Sequence, residues 1–357
     1  MHKDKLTYTL FLLVFLIAFP AANIFGLVDT NTLTLWGRYF CFAIVAIGVD
    51  LIWGYTGIMT MCQAFFFCLG AYGLGMYLTI TNMPEGQVVP DFMSWNQIDS
   101  LPLFWQPFQT FWGTLIASLI ATTAFAMISY LIFRRRIKGV FFAIITQALA
   151  LAMFLLFSRN ETMLGGSNGL TNFRYILGFD LRTEEVKIGL YILTVAMLAV
   201  IFFFSKKLTK SKFGKVLIGI RDSESRLRFT GYKVAHYQTA IFIIGALIAT
   251  IAGMLYIPQT GIVTPGRMDV KASIEILIWV ALGGRGNLKG AVLGALIVNI
   301  LYSLFTSLMP DAWPYILGLL YVITVLYMKK GILGLFGSLV EWIRARNFNP
   351  QSKKTLC

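Results

Sequence analysis

Ten apolar runs, parted by short polar stretches, dominate this chain. They cover residues 6–27, 35–53, 58–80, 110–133, 140–157, 187–204, 238–258, 272–283, 291–309 and 313–328. A membrane-crossing helix needs about 20 apolar residues, because the hydrocarbon layer is ~30 Å thick and a helix rises ~1.5 Å per residue. Only 13% of the residues are charged, about half the usage of a soluble domain. The expectation is an all-α polytopic membrane protein with about 10 transmembrane helices.

The longest charged interruption is 205–237, with nine Lys/Arg against Asp222 and Glu224. Basic loops stay on the cytoplasmic side, so this stretch orients its neighbours. Alternating ten spans from a cytoplasmic N-terminus puts 23 of the 30 Lys/Arg inside with four acids. The outer segments then hold seven bases and eleven acids, and the C-terminus is cytoplasmic too. The net charge of +14 therefore reads as topology and anionic-lipid contact, with no nucleic acid partner. The chain divides into an N-terminal span and flank (1–34), a main domain (35–335) holding the 205–237 loop, and a cytoplasmic tail (336–357).

Two runs are unusual. The first is longer than the ~7–15 apolar residues of a cleaved leader, which favours an uncleaved span. The eighth, 272–283, is barely half a span. It is either a re-entrant half-helix or a crossing completed by irregular chain after Pro265-Gly266. Re-entry would strand the six C-terminal bases outside, so the crossing is preferred. Irregular backbone at that depth must be buried in protein or line a cavity, which marks it as a candidate wall of a substrate path.

No catalytic, metal or cofactor constellation emerges. Cys41, Cys62 and Cys68 lie in apolar runs and Cys357 ends the chain. Gly165-Gly-Ser-Asn-Gly169 fits a nucleophile elbow, but His2 and His236 fall on the opposite side of the membrane from Ser167. It reads as a Gly-rich turn. Gly283-Gly-Arg-Gly-Asn-Leu-Lys-Gly290 lacks the spacing and preceding strand of a phosphate loop and reads as a sharp reversal. Gly290 and Gly294, like Gly70, Gly73 and Gly75, allow close helix approach. Polar residues at membrane depth are Asp50, Gln63, Gln147, Glu275 and Asn299. The first account of each is a structural hydrogen bond; a polar solute path would need several of them to face one cavity.

Within 205–237, residues 221–231 read as a short amphipathic helix. Asp222 or Ser223 can cap its start and Gly231 can end it left-handed. Glu224, Arg226 and Arg228 alternate with Leu227 and Phe229. A solvated charge run would need neither caps nor a central Leu and Phe, so this segment is expected to dock on a partner.

Five stretches carry a family resemblance: Asp50-Leu-Ile-Trp-Gly-Tyr-Thr-Gly57, Ile137-Lys-Gly-Val-Phe-Phe-Ala-Ile-Ile-Thr-Gln-Ala148, Gly165-Gly-Ser-Asn-Gly-Leu-Thr171, Lys212-Phe-Gly214 with 221–232, and 273–294. They resemble the permeases of branched-chain amino acid ABC importers, closest to the urea subgroup through Thr146-Gln-Ala148 and the Pro/Trp-rich loop 81–109. The resemblance implies a bacterial inner-membrane permease, not an enzyme, without cofactor or metal. It implies as partners a second homologous permease, two cytoplasmic ABC ATPases and an extracytoplasmic binding protein. It also makes Arg221, Asp222, Ser223, Glu224, Arg226, Leu227, Arg228, Phe229 and Gly231 the segment that couples to the ATPase. One departure is Cys62-Gln63-Ala64, where the family usually has a Gly-His-Gly-like stretch, and Gln63 cannot carry a proton.

The expected substrate is urea or a similar small amide, which suits Gln63, Gln147 and Asn299, with Glu275 as a further path residue. The alternative is a branched-chain amino acid, whose zwitterion should want charges of both signs nearby. An ion-coupled transporter or channel is more remote, since only Asp50 and Glu275 offer intramembrane charge.

Overall fold

Capping chemistry sets where each apolar run becomes helix. The computed structural model describes residues 14–26, 28–84, 86–94, 96–98, 100–137, 139–309, 311–327 and 331–334. Its helices are α1 (Phe19–Ile24), α2 (Thr30–Thr56), α3 (Gln63–Thr81), α4 (Phe111–Arg134), α5 (Val140–Phe157), α6 (Glu184–Lys210), α7 (Lys212–Phe229), α8 (Val234–Thr260), α9 (Val270–Gly283), α10 (Leu288–Leu308) and α11 (Trp313–Tyr327), besides single turns. Thr110 opens α4 by accepting the Gly113 N–H at 3.2 Å, and Asp269 opens α9 by accepting that of Val270 at 2.6 Å. α2 and α8 end on Gly57 and Gly261, whose φ of 75° and 73° would strain a side chain.

Seven of these helices (α2, α3, α4, α5, α6, α8 and α10) are long and apolar enough to cross a membrane. Ten full spans are not what the described residues form. The first run is described only from Val14, as one π-helical turn (Val14–Ala18) and α1. Helices α9 and α11, with 14 and 15 residues, reach only about 21–23 Å. The third run starts late, because 57–62 is non-helical and α3 begins at Gln63. The tail 336–357 lies outside the described residues.

Two ends of the bundle are defined by contacts between distant loops. At one end β1 (Leu170–Thr171) pairs with β4 (Ile262–Val263), and Asn82 holds the backbone of Tyr175 through both amide atoms, at 2.7 and 2.9 Å. A small hairpin of β2 (Tyr175–Ile176) and β3 (Phe179–Asp180) lies beside it. There the Arg182 N–H and the Arg174 guanidinium hold the Asp180 carboxyl below its usual range. The Gly165–Gly169 stretch is the expected turn, with φ of 83°, 58° and 69° at its three glycines. At the opposite end Arg221 reaches Gly54 and Asp50 reaches Gly286. Helix α9 joins the two ends: its start follows the turn Pro265–Met268, and its last residue leads into Gly284–Gly286.

The buried centre is α2, α3 and α8, flanked by α4, α6 and α10. Glycines let backbones touch there, which substitutes for the hydrophobic drive missing between helices in lipid. A Cβ at Gly70 would strike the Thr250 carbonyl, and one at Gly253 the Phe67 carbonyl. Gly283, Gly290 and Gly294 interlock in the same way where α9 turns back into α10. Thr122 and Thr250 share a hydrogen bond of 2.7 Å, and Thr250 also donates to the Phe66 carbonyl at 3.1 Å. Gly253→Val should therefore cost ~1–3 kcal/mol through forced separation of α3 and α8, read as a lower thermal midpoint in detergent. Gly189→Ala, where nothing lies within 4 Å of an added Cβ, should leave the midpoint unchanged or slightly raised.

Candidate substrate cavity and coupling segment

Helical spacing builds one wall of a cavity at the end where β1 and β4 pair. Leu35, Arg38, Tyr39, Phe42 and Val45 share a face of α2. Lys271 and Glu275, one turn apart, stand with Ile276 and Trp279 on α9, and Val298, Asn299, Tyr302 and Ser303 come from α10. Tyr256 closes the side of α8, and the irregular chain at Thr264, Gly266, Arg267 and Asp269 closes the rest. The enclosed space is about 300 Å³.

Its chemistry is mixed. Phe42, Tyr256 and Trp279 form a linked aromatic floor, with Phe42 centroids 5.3 Å from Tyr256 and 5.1 Å from Trp279. The Arg267 guanidinium rests over two of these rings, 5.6 Å from Tyr256 and 6.0 Å from Phe42. Arg38 is committed, donating twice to the Gln259 carbonyl at 3.0 and 3.3 Å. Among the described residues, Arg267, Lys271 and Glu275 form no ion pair within 4.0 Å, although all three line the cavity.

The four expected path residues do not converge. Glu275 and Asn299 line this cavity, and Asn299 spends its amide N–H on the Ala295 carbonyl at 2.8 Å. Gln63 and Gln147 line neither it nor the groove at the opposite end. Gln63 begins α3 and Gln147 follows Thr146, whose hydroxyl accepts the Met61 N–H at 3.1 Å. Neither glutamine amide has a hydrogen-bond partner among the described residues. Arg267 and Lys271 were legible only as outer charges; the Lys271/Glu275 spacing was the signal that α9 turns charge toward its neighbours.

At the opposite end, Ser211 caps α7 on the Gly214 N–H at 3.4 Å, and Gly214 presses against the Thr209 backbone, which accounts for Lys212-Phe-Gly214. α7 is broken at Ser223 (φ −161°, ψ 89°), leaving a short helical piece, 224–229. That piece ends at Gly231 (φ 89°), so both ends of the expected short helix appear, shifted to begin after Ser223. Leu227 folds back over Gly219, and Glu224 pairs with Arg228. Phe229 is 91% exposed, and Arg226 and Gly231 are also open. Arg221 and Asp222 belong to the longer piece, where they bond each other at 3.1 Å. Arg221 through Glu224 line a groove of about 260 Å³ with Thr56, Gly57, Ile58, Ile137, Gly139 and Gln238.

The family model described as "Branched-chain amino acid transport system / permease component" matches residues 31–327. The high-affinity branched-chain amino acid transport system permease protein LivM of Escherichia coli (strain K12) is 24% identical over 93% of this chain and 75% of its own length. The probable branched-chain amino acid transport permease protein LivM of Methanocaldococcus jannaschii is 25% identical over 85% of this chain and 92% of its own. The permease protein BraD of Pseudomonas aeruginosa is 23% identical over 85% and 94%. No solved structure matches the chain. Neither the family description nor these names mention urea or another amide, the substrate first expected. The chain belongs to the family of branched-chain amino acid transport system permease components, as a multi-pass inner-membrane transport subunit rather than an enzyme.

Proposed function

We propose that this chain is a permease subunit of an ATP-driven importer for branched-chain amino acids. It works with a second homologous permease, two cytoplasmic ABC ATPases and an extracytoplasmic binding protein. The cavity carries the substrate assignment. It combines an aromatic floor with charges of both signs that have no ion-pair partner among the described residues. An α-amino acid offers the complement: its carboxylate suits Arg267 and Lys271, its ammonium group suits Glu275, and a branched side chain suits Phe42, Trp279 and Val298. Urea has no charge to meet these groups and no apolar part to cover the rings. The names of the relatives point the same way.

The charge balance of the loops orients the chain, with the cavity end outside and the 205–237 end in the cytoplasm, the arrangement an importer needs. The sequence carries no nucleotide-binding motif, so energy must enter from a partner. The short helix 224–229 offers Phe229 and Arg226 to such a partner, with Leu227 holding it to the body of the protein. Aromatic residues, Phe included, and arginine are enriched at protein interfaces, so an exposed Phe229 near Arg226 suits docking.

Three variants test this reading in the reconstituted importer. Glu275→Gln keeps the shape but removes the charge. At saturating binding protein it should slow leucine uptake roughly tenfold to a hundredfold, as expected for one charge-assisted hydrogen bond. Unchanged leucine uptake in an assembled E275Q complex would remove the zwitterion argument. Phe229→Ala should weaken attachment of the ATPase subunit by about 2 kcal/mol, close to thirtyfold in Kd, in a pull-down titration. Leu227→Ala should instead lower the thermal midpoint of the permease itself.

A further inference from the structure

Three of the helices that wall the outer cavity, α2, α9 and α10, meet again at the opposite end, in a joint that also holds Arg221. Asp50 on α2 is completely buried, and its Oδ1 accepts the Gly286 N–H at 2.7 Å in the turn between α9 and α10. Its Oδ2 has no partner among the described residues. One turn along α2, the Gly54 carbonyl accepts Nη1 of Arg221 at 3.0 Å. There is no slack here: a Cβ at Gly54 would collide with both the Asp50 carboxylate and the Gly286 backbone. Gly57, which ends α2, lies directly beneath the Arg221 side chain, and a Cβ added there would sit 3.2 Å from the Arg221 Cγ. Arg285 stacks over the Trp53 ring at 4.8 Å and closes the same joint from the turn side.

We propose, resting on the reading of 224–229 as the ATPase-docking helix, that Asp50 and Arg221 are positioning residues that carry its movement to the outer cavity. Arg221 lies just before the Ser223 break, so any pull on the short helix reaches Gly54 first. The hydrogen bond to Gly286 then ties α2 to the α9–α10 turn, so the cavity walls cannot shift independently at this end. A carboxylate–amide bond away from water is strong and directional enough for that role. Helices behave as rods of ~1.5 Å per residue, so the stretch of α2 from Gly54 to Arg38 is about 24 Å long. A tilt of about 5° at the joint moves the Arg38 level by roughly 2 Å, a change on the scale of hinge and shear motions.

The test uses the full importer, with the ratio of binding-protein-stimulated to basal ATP hydrolysis as readout. Asp50→Asn keeps an oxygen acceptor for Gly286 but removes the charge, and Arg221→Gln releases Gly54. Each should lower that ratio about fivefold or more, read per mole of assembled complex. The double variant D50N/R221Q should match the weaker single variant, because both residues serve one joint. Retained stimulation in either assembled variant, or losses that multiply in the double, would overturn the proposal. If D50N does not assemble, R221Q decides alone by the same ratio, since Arg221 is partly exposed and is not needed to fill the core.

Discussion

A carboxylate removed from water must find a donor, and in this permease the donor is the backbone of a turn more than two hundred residues away. The bond from Gly286 N–H to Asp50 fixes the end of α2 against the α9–α10 turn. Everything at that end is built to the tolerance this bond sets. Gly54 has no side chain because Asp50 and Gly286 occupy its space, Gly57 turns left-handed beneath Arg221, and Gly283, Gly290 and Gly294 draw two helices together above the turn. In lipid, where apolar contact between helices gains little over contact with acyl chains, such close backbone packing and a few buried polar bonds carry the specificity of the fold.

From that joint the same helices extend to a cavity whose floor is aromatic and whose rim is charged. The two ends differ in a way that suits vectorial transport. One presents Arg267, Lys271 and Glu275 around Phe42, Tyr256 and Trp279; the other presents a short helix with an exposed Phe229. In the proposed function, substrate recognition and energy input are separated by the length of α2 and connected through it and its neighbours. That geometry favours a subunit that converts a partner's motion into cavity shape over an ion-coupled carrier, in which the intramembrane charges would serve the coupling ion. Asp50, one of the two such charges, is taken up by the joint.

Much of this was legible in the residues. Helix α5 matches its apolar run at both ends, and α4, α8 and α10 differ from theirs by a few residues, with Thr110, Gly261 and Asn287 at their ends. The break at Ser223 and the left-handed Gly231 follow from local backbone preferences and were readable for the same reason. Hydropathy failed where the chain leaves helix without leaving apolar composition: residues 58–62 are as apolar as a span, yet non-helical. The run 272–283 was rightly read as short of a full span, and α9 exceeds it by only two residues. The cavity was half legible. Glu275 and Asn299 are polar residues in apolar helices, a visible anomaly, whereas Arg38, Arg267 and Lys271 read as ordinary outer charges until the fold brought them to one space. Gln63 and Gln147 looked equivalent to the first pair by composition, and only tertiary placement separated them.

The most direct measurement is uptake of labelled leucine and labelled urea, side by side, by vesicles holding this permease with its partner permease, ATPases and binding protein. Accumulation of leucine that depends on ATP and on the binding protein, and is indifferent to excess urea, is the expected result. Accumulation of urea without leucine, or leucine entry without ATP, would contradict it.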